Sequence, residues 1–180
     1  IQYGNAATAL AALEALAERR MPTLAGSLDA AVAARALADV RLSGRFQVLA
    51  GRPEWILDVA HNPAAAGVFA AALRARPFAD RKRAGRTIAV CGMLADKDAA
   101  GVGAVLAACI DEWVLCSLHE PRGLTAQALR DRLPAACRVV AMRESVAAAC
   151  EEARARATPA DRIVVFGSFH TVGPALEALG

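Results

Sequence analysis

Three short groups of polar residues, each following a short apolar run, carry the side chains best suited to chemistry. They are Asp58 with His61-Asn62, then Asp96-Lys97-Asp98, and Ser168-Phe169-His170. If the apolar runs are parallel strands, their carboxyl ends meet at one edge of a sheet, where ligands of open α/β proteins bind. Asn62-Pro63 has the features of a helix start, and a helix amino terminus favours anions such as phosphate. We therefore expect a ligand site at this edge.

Each polar group also has a purely structural interpretation. Asp58 can tie a loop and His61 can cap a strand. Asp96 can be the N-cap of the following helix, and Ser168 and Thr171 can serve the same purpose. Taken singly, each group leaves both interpretations open, and the functional one rests on their meeting at a single edge.

Arg45 lies in Ser43-Gly44-Arg45, at the entry to the predicted sheet, and adds a cation to the candidate set. His119 and Glu120 also follow an apolar run and are expected to line the same crevice. No segment matches the G-x-x-x-x-G-K-[ST] pattern of a phosphate-binding loop, so ATP chemistry would require another domain. No G-x-G-x-x-G follows a strand, which disfavours a self-contained dehydrogenase.

The composition is that of a globular protein, with 56% hydrophobic residues, largely alanine, and 4% aromatic residues. A net charge of +3 with mostly scattered basic residues does not indicate nucleic-acid binding. The uncharged run 99–110 is shorter than the ~20 residues that cross a bilayer, so we expect no membrane association and a cytoplasmic location. The five cysteines are far apart and the three histidines do not stand near them in the pattern that a zinc site requires, which predicts reduced thiols and no structural metal.

The segments that must position the polar groups alternate between apolar runs and helical stretches, which is typical of βαβ units. Only a four-residue link, Gly51-Arg52-Pro53-Glu54, separates the first two runs, which predicts an antiparallel hairpin. We predict an α/β fold with a Rossmann-like, mostly parallel sheet of about six strands, one of them antiparallel, and helices on both faces. The predicted strands are Phe46–Ala50, Trp55–Ala60, Thr87–Met93, Glu112–Leu118, Arg138–Met142 and Arg162–Phe166, and the predicted helices are Pro63–Arg76, Lys97–Ile110, Thr125–Leu133, Glu144–Ala157 and Thr171–Leu179.

Two helices are predicted before the sheet, at Asn5 to Arg20 and from an N-cap at Ser27 to about Val40. The chain begins without methionine and enters a helix directly. We therefore expect it to be part of a longer protein, with these two helices belonging to another domain and packing less closely than the rest.

Several runs occur in a specific order along the chain: Gly4 to Leu10 (GNAATAL), Gly44-Arg45-Phe46, Asp58 to Pro63 (DVAHNP), Gly92 to Asp98 (GMLADKD) and Phe166 to Val172 (FGSFHTV). In this order they closely resemble the carboxyl-terminal part of the bacterial bifunctional dihydrofolate synthase/folylpolyglutamate synthases, which belong to the Mur ligase superfamily. The departures are small: Ser43 stands where relatives often have proline, and the link from Met21 to Ser27 is longer than usual.

This resemblance implies ATP-dependent amide formation, in which a carboxylate of dihydropteroate or a folate is activated as an acyl phosphate and then attacked by the amine of L-glutamate. It also implies that residues 1–42 end a truncated central ATP-binding domain and that residues 43–180 form the glutamate-ligase domain. The phosphate-binding loop, the Mg²⁺ ligands and most of the folate site would belong to the missing part. The chain alone is then expected to be inactive, and the full-length enzyme to be a monomer.

By the same resemblance, Asn5, Arg45 and Asp58 match positions that contact ATP. His61 would orient groups near the phosphates or the adenosine, so the implied catalytic set is Arg45, Asp58 and His61. The candidate substrate contacts are Asp96, Lys97, Ser168 and His170. We expect Asp58 and His61 to lie outside the core, so that alanine at either position lowers turnover without unfolding the protein.

Two other functions stay open on the sequence. One is a Mur-type amide ligase that acts on a cell-wall precursor, which shares the DxAHNP element but not the GMLADKD and GSFHTV runs. The other is a non-catalytic Rossmann-like binding module, which agrees with the missing phosphate-binding loop but leaves the meeting of Arg45, Asp58 and His61 at one edge unexplained.

Overall fold

The chain divides into two compact units, Ile1–Ser43 and Gly44–Gly180. The computed structural model describes residues 3–20, 29–40, 42–78 and 85–180. In the first unit, α1 spans Tyr3–Arg20 and α2 spans Ala30–Asp39. The Asp29 carboxylate caps α2 by accepting a hydrogen bond from the Val32 N–H at 2.7 Å. The N-cap is therefore Asp29, and the predicted Ser27 lies outside the described residues.

The second unit alternates strands and helices as the sequence predicts. Its strands are β1 (Gln47–Leu49), β2 (Glu54–Asp58), β3 (Thr87–Cys91), β4 (Glu112–Cys116), β5 (Val139–Arg143) and β6 (Arg162–Phe166). Its helices are α3 (Pro63–Ala75), α4 (Ala99–Leu106, continued by a 3₁₀ turn at Ala107–Cys109), α5 (Ala126–Arg132), α6 (Val146–Arg156) and α7 (Phe169–Leu179).

The six strands form one sheet in the order β1-β2-β6-β3-β4-β5. β1 is antiparallel to β2, and all other neighbouring pairs are parallel. The predicted mixed sheet with an antiparallel first strand is therefore confirmed. The last strand, β6, lies between β2 and β3. The polar group at Ser168, which follows β6, therefore comes between the group at Asp58, which follows β2, and the group at Asp96, which follows β3.

A hydrophobic cluster covers each face of the sheet. On one face, α3, α4 and α5 pack against side chains such as Ile56, Trp113 and Phe166. On the other face, α6 and α7 pack against the alternate strand residues, among them Leu57, Val90 and Val165. Because both faces are covered, β2, β3, β4 and β6 are buried along their length, as the continuous apolar runs predict.

Several element boundaries differ from the sequence prediction. β1 begins at Gln47 rather than Phe46, because Phe46 has a φ of +46° and cannot continue a strand. α7 begins at Phe169, two residues before the predicted Thr171. The start of α3 is as predicted, since Pro63 is its first residue and the Asn62 side chain accepts a hydrogen bond from the Ala65 N–H at 2.8 Å.

Within the described part of the chain, no helix has both the length and the apolar character needed to cross a membrane.

Candidate active site

The carboxyl ends of three neighbouring strands lie level with one another. In the parallel register, Asp58 of β2 pairs with Phe166 of β6, and Phe166 pairs with Cys91 of β3. The polar groups that follow these strands are therefore brought to one edge of the sheet. The Thr171 hydroxyl donates a hydrogen bond to the Gly92 carbonyl at 2.8 Å and so joins two of the three strand ends. Thr171 is thus not an N-cap.

Asp58 is buried at the end of β2, with 5% of its surface exposed. Its Oδ2 accepts a hydrogen bond from the Phe46 N–H and its Oδ1 accepts one from the Ala60 N–H, both at 2.8 Å. Burial raises the pKa of the Asp58 carboxyl, while these two hydrogen bonds and the charge of Arg45 oppose the rise. The expectation that Asp58 lies outside the core is wrong, because its carboxylate ties the preceding loop to the strand end.

The loop of residues 44–46 is held in an unusual backbone conformation. Both Gly44 (φ +67°) and Phe46 (φ +46°) are in the left-handed region, which costs an aromatic residue on the order of 1–3 kcal/mol. The Gly44 carbonyl accepts a hydrogen bond from the Val59 N–H at 2.9 Å, and the Gly44 N–H donates to Gln47 Oε1 at 2.9 Å. The Phe46 ring packs edge-on against Phe69, 5.9 Å between centroids. These contacts fix the backbone on both sides of Arg45.

Arg45 itself is exposed, and its guanidinium carbon lies 5.8 Å from the centroid of the Phe169 ring. Among the described residues, no carboxylate forms an ion pair with Arg45. The site therefore contains a positive charge on a fixed loop without an opposing charge in contact.

His61 is half-buried and its Nδ1 lies 2.8 Å from the Val59 carbonyl oxygen. A carbonyl oxygen only accepts, so Nδ1 carries a hydrogen in this contact. In the neutral imidazole Nε2 is then a hydrogen-bond acceptor, able to take a proton or a hydrogen bond from a ligand.

Asp96 and Lys97 lie at the same edge but are paired with each other. Asp96 Oδ2 is 2.9 Å from Lys97 Nζ and 3.3 Å from Arg122 Nη1. The hydrogen bond from Lys97 holds the pKa of the Asp96 carboxyl below its ordinary value. The interpretation of Asp96 as an N-cap is wrong, because Asp98 caps α4 by accepting from the Gly101 N–H at 2.8 Å.

Ser168 and His170 lie at the start of α7. Ser168 is buried and its Oγ accepts a hydrogen bond from the His170 N–H at 3.1 Å, so the capping interpretation is right for Ser168. The His170 ring is exposed, with Nδ1 3.4 Å from Glu120 Oε1. His119 lies at this edge as well and its Nε2 is 2.8 Å from the Glu144 carbonyl oxygen. The remaining candidate, Asn5, is exposed on α1 of the first unit.

Sequence reasoning passed over residues that hold the site together. Gln47 and Phe46 fix the loop around Arg45, and Phe169 lies beside the Arg45 guanidinium. Phe169 stands between the polar residues Ser168 and His170. An apolar residue in a polar group after a strand end could have indicated from the sequence that Phe169 belongs to the site. Nothing local marks Gln47 as a partner of Gly44, because that contact depends on the backbone conformation.

Comparisons with known proteins match most of the length of this chain. A family model described as the Mur ligase, glutamate ligase domain, matches residues 44–169, beginning where the second unit begins. The chain is 40% identical over 176 residues to the dihydrofolate synthase/folylpolyglutamate synthase of Escherichia coli K12, which covers 97% of this chain and 37% of that protein.

Solved structures give the same relationship. E. coli FolC in complex with DHPP and ADP matches with a TM-score of 0.81 and 38% identity, over 99% of this chain and 39% of FolC. A bifunctional folylpolyglutamate synthase/dihydrofolate synthase with Mn, AMPPNP and L-glutamate bound matches with a TM-score of 0.72 and 38% identity, over 84% of this chain and 35% of that chain. The chain thus spans less than two fifths of the length of these relatives.

Proposed function

Since the chain belongs to the Mur ligase, glutamate ligase domain family, we propose that the full-length protein containing it joins L-glutamate to dihydropteroate and folates with the hydrolysis of ATP. The reaction class follows from the chemistry of the substrates. A carboxylate is a poor electrophile at neutral pH, so it is first converted to an acyl phosphate by phosphoryl transfer. The glutamate amine then displaces the phosphate.

The observation that carries this proposal is the Arg45 guanidinium, exposed on a fixed loop and free of a contacting carboxylate among the described residues. Phosphoryl transfer requires that negative charge on the transferring group be offset in the transition state. A guanidinium offers planar paired donors that match phosphate oxygens. We assign Arg45 this charge-neutralising role.

Asp58 and His61 support Arg45 in different ways. Asp58 fixes the Arg45 loop through the Phe46 N–H, so it acts on the reaction through the position of Arg45. His61 offers the Nε2 acceptor, which suits a hydrogen bond donated by the attacking amine or by a protonated phosphate oxygen. Asn5 remains a proposed nucleotide contact.

Glutamate carries two carboxylates and an ammonium, and the part of the edge formed by β3 and β6 presents polar groups that include both a carboxylate and a cation. We propose that Lys97, His170 and Ser168 contact glutamate carboxylates or the ligated amide, and that Asp96 orients Lys97 or accepts from the ammonium. The Asp96–Lys97 ion pair is partly exposed to solvent, so a ligand can replace it at small cost.

Mg²⁺, when bound, offsets charge on the ATP phosphates. No group of three or more His, Cys, Asp or Glu residues in the described ranges is arranged to hold a metal ion, so we assign the metal ligands to the rest of the full-length protein. We also assign residues 1–42 to the end of its ATP-binding domain and residues 43–180 to the glutamate-ligase domain. A cytoplasmic, monomeric enzyme is the arrangement we propose.

The test is ADP formation by the full-length protein, measured with and without L-glutamate and dihydropteroate. We expect turnover that requires both substrates, and no turnover from the 180-residue chain alone. Arg45→Ala should lower turnover about a hundredfold, which corresponds to about 3 kcal/mol in the transition state. Arg45→Lys should recover only part of the rate, because lysine lacks the paired donors.

The matched control is Arg138→Ala, which removes an exposed arginine from the opposite edge of the sheet and should leave turnover unchanged. ADP formation that needs a cell-wall precursor instead of dihydropteroate would move the protein to another branch of the family. An Arg45→Ala enzyme as fast as the wild type would remove the observation on which the proposal depends.

A further inference from the structure

We propose that Phe169 is a positioning residue for Arg45, a role that rests on the proposed function of Arg45 itself. The Phe169 side chain is 62% exposed, yet the Arg45 guanidinium carbon lies 5.8 Å from the centre of its ring. A guanidinium at this distance from an aromatic face is attracted by the ring quadrupole. The ring therefore gives the exposed end of Arg45 a preferred place before any nucleotide is bound.

The backbone that carries Phe169 is fixed from several directions. Ser168 caps the helix, and the buried Thr171 donates to the Gly92 carbonyl at 2.8 Å. Val172, also buried, lies against the Arg45 loop, since a Cβ added at Gly44 would come within 2.9 Å of Val172 Cγ1. The first turn of α7 and the loop of residues 44–46 thus form one packed unit.

Two supports then act on different parts of Arg45. Asp58 fixes its backbone through the neighbouring Phe46 N–H, and Phe169 confines its side chain. An arginine side chain has several rotatable bonds, and immobilising it on binding costs free energy. If the ring already restricts the guanidinium, less of this free energy is lost when phosphate binds or is transferred.

Another Arg–Phe pair in the same unit shows the alternative arrangement. At the opposite edge, the Arg162 guanidinium carbon lies 4.4 Å from the Phe78 ring centre and the side chain donates to Thr87 Oγ1 and to the Leu73 and Arg76 carbonyls. Arg162 is buried and held by these hydrogen bonds, so its ring contact adds to a fixed structure. Within the described residues, no hydrogen bond or ion pair holds the Arg45 guanidinium, so we expect the loss of the ring contact to lower the rate of the reaction.

The experiment compares four versions of the full-length protein in a double-mutant cycle: wild type, Phe169→Leu, Arg45→Ala and the double variant. Phe169→Leu keeps an apolar side chain but removes the π face, and should lower turnover about twofold to fivefold with the KM for glutamate unchanged. Phe169→Trp should keep the wild-type rate, because tryptophan has the stronger cation–π face. In the Arg45→Ala background, Phe169→Leu should have no further effect, because its action passes through Arg45.

Val68→Ala, which trims an exposed apolar residue on α3, is the matched control and should not change turnover. Equal losses from Phe169→Leu in the wild-type and Arg45→Ala backgrounds would overturn the inference and indicate that the ring contacts a ligand directly, for example by stacking on a base. Wild-type turnover in Phe169→Leu would also overturn it. Both of these outcomes are read from the effect of Phe169→Leu. The proposed function is tested separately by Arg45→Ala, and a wild-type rate in that variant would reject it.

Discussion

The two edges of the sheet differ in how their charged side chains are paired and buried. At the amino ends of the strands, the buried Glu112 carboxylate faces arginine side chains from several elements, with N–O distances of 3.1 Å for Arg86, 3.2 Å for Arg138 and 3.5 Å for Arg156. At the carboxyl ends, the exposed Asp96 carboxylate pairs with the half-buried Lys97 and the exposed Arg122, and Arg45 has no contacting carboxylate in the described part of the chain. One edge neutralises buried charge, and the other leaves charge accessible.

Two buried aspartates show what this difference does to a single type of side chain. Asp161 at the amino edge is 3% exposed and Asp58 at the carboxyl edge is 5% exposed. Asp161 accepts hydrogen bonds from the Thr158 N–H at 2.8 Å, the Arg86 N–H at 2.7 Å and the Arg86 guanidinium at 3.0 Å. Burial acts to raise the pKa of Asp161, but these hydrogen bonds outweigh it and leave the pKa below its ordinary value.

Asp58 has two backbone N–H donors but no guanidinium in contact, and burial leaves its pKa above the ordinary value. The two carboxyls have similar exposed surface but opposite pKa shifts, because Asp58 is the more strongly desolvated and because Asp161 accepts from the Arg86 guanidinium in addition to two backbone N–H groups. Asp58 has no such guanidinium partner, because the nearby Arg45 side chain is exposed and lies beside the Phe169 ring. We therefore expect the amino edge to contribute stability and the carboxyl edge, where the proposed site lies, to contribute function.

The largest expected effect is on stability at the amino edge. Asp161→Ala removes the acceptor of the Thr158 and Arg86 hydrogen bonds and should lower the free energy of unfolding by about 3 kcal/mol. Urea unfolding of the 180-residue chain measures this, with the exposed Asp131→Ala as the control that should change little. In the full-length protein below its unfolding temperature, Asp161→Ala should keep wild-type turnover. A loss of turnover comparable to that of Arg45→Ala would show that the edges do not divide stability from function.

A smaller stability effect with an added functional effect is expected at Asp58. In Asp58→Asn the amide oxygen can accept from one of the two N–H groups, while the NH₂ cannot accept from the other. The free energy of unfolding should fall by about 1–2 kcal/mol, and turnover should fall about tenfold because the Arg45 loop is less well fixed. Unfolding and ADP formation are measured on the same variant. Lower stability with unchanged turnover would mean that Asp58 ties the loop without serving the reaction.

The smallest expected effect is the pH dependence of stability, where the two aspartates should give slopes of opposite sign. Because the pKa of Asp161 is lowered on folding, its stabilisation is present above the unfolded-state pKa near 3.8 and is lost as pH falls through the lower folded value. Because the pKa of Asp58 is raised, its contribution is present below about 3.8 and is lost as pH rises through the higher folded value.

The measurement is the difference in unfolding free energy between the wild type and each Asp→Asn variant, taken between about pH 3 and pH 6. Each slope is limited to about 1.4 kcal/mol per pH unit, because a single proton is involved. The difference should grow with pH for Asp161→Asn and shrink with pH for Asp58→Asn. Slopes of the same sign would mean that folding does not shift the two carboxyl pKa values in opposite directions.

Much of the fold was predictable because it depends on local patterns. The bounds of β6 agree with the prediction at both ends, the hairpin follows from the short link after β1, and the start of α3 follows from Asn62-Pro63. The N-cap of α4 was missed because Asp96 and Asp98 are equally good caps in sequence, and only the position at which the helix begins selects Asp98. The placement of β6 between β2 and β3 depends on pairing between distant segments, which local patterns do not encode.

The sequence by itself determined the alternation of strands and helices, and therefore that Asp58, Asp96 and Ser168 would follow strand ends. Parallel strands place those ends at one edge, so the location of the candidate site was also determined. The tertiary structure decided what each side chain does there. The Asp58 carboxylate accepts a hydrogen bond from the Phe46 N–H, twelve residues away in sequence. Arg45 lies beside Phe169, which comes from the far end of the chain. Those contacts depend on a left-handed backbone at Phe46 and on the packing of α7, and both arise only when segments distant in sequence fold against each other.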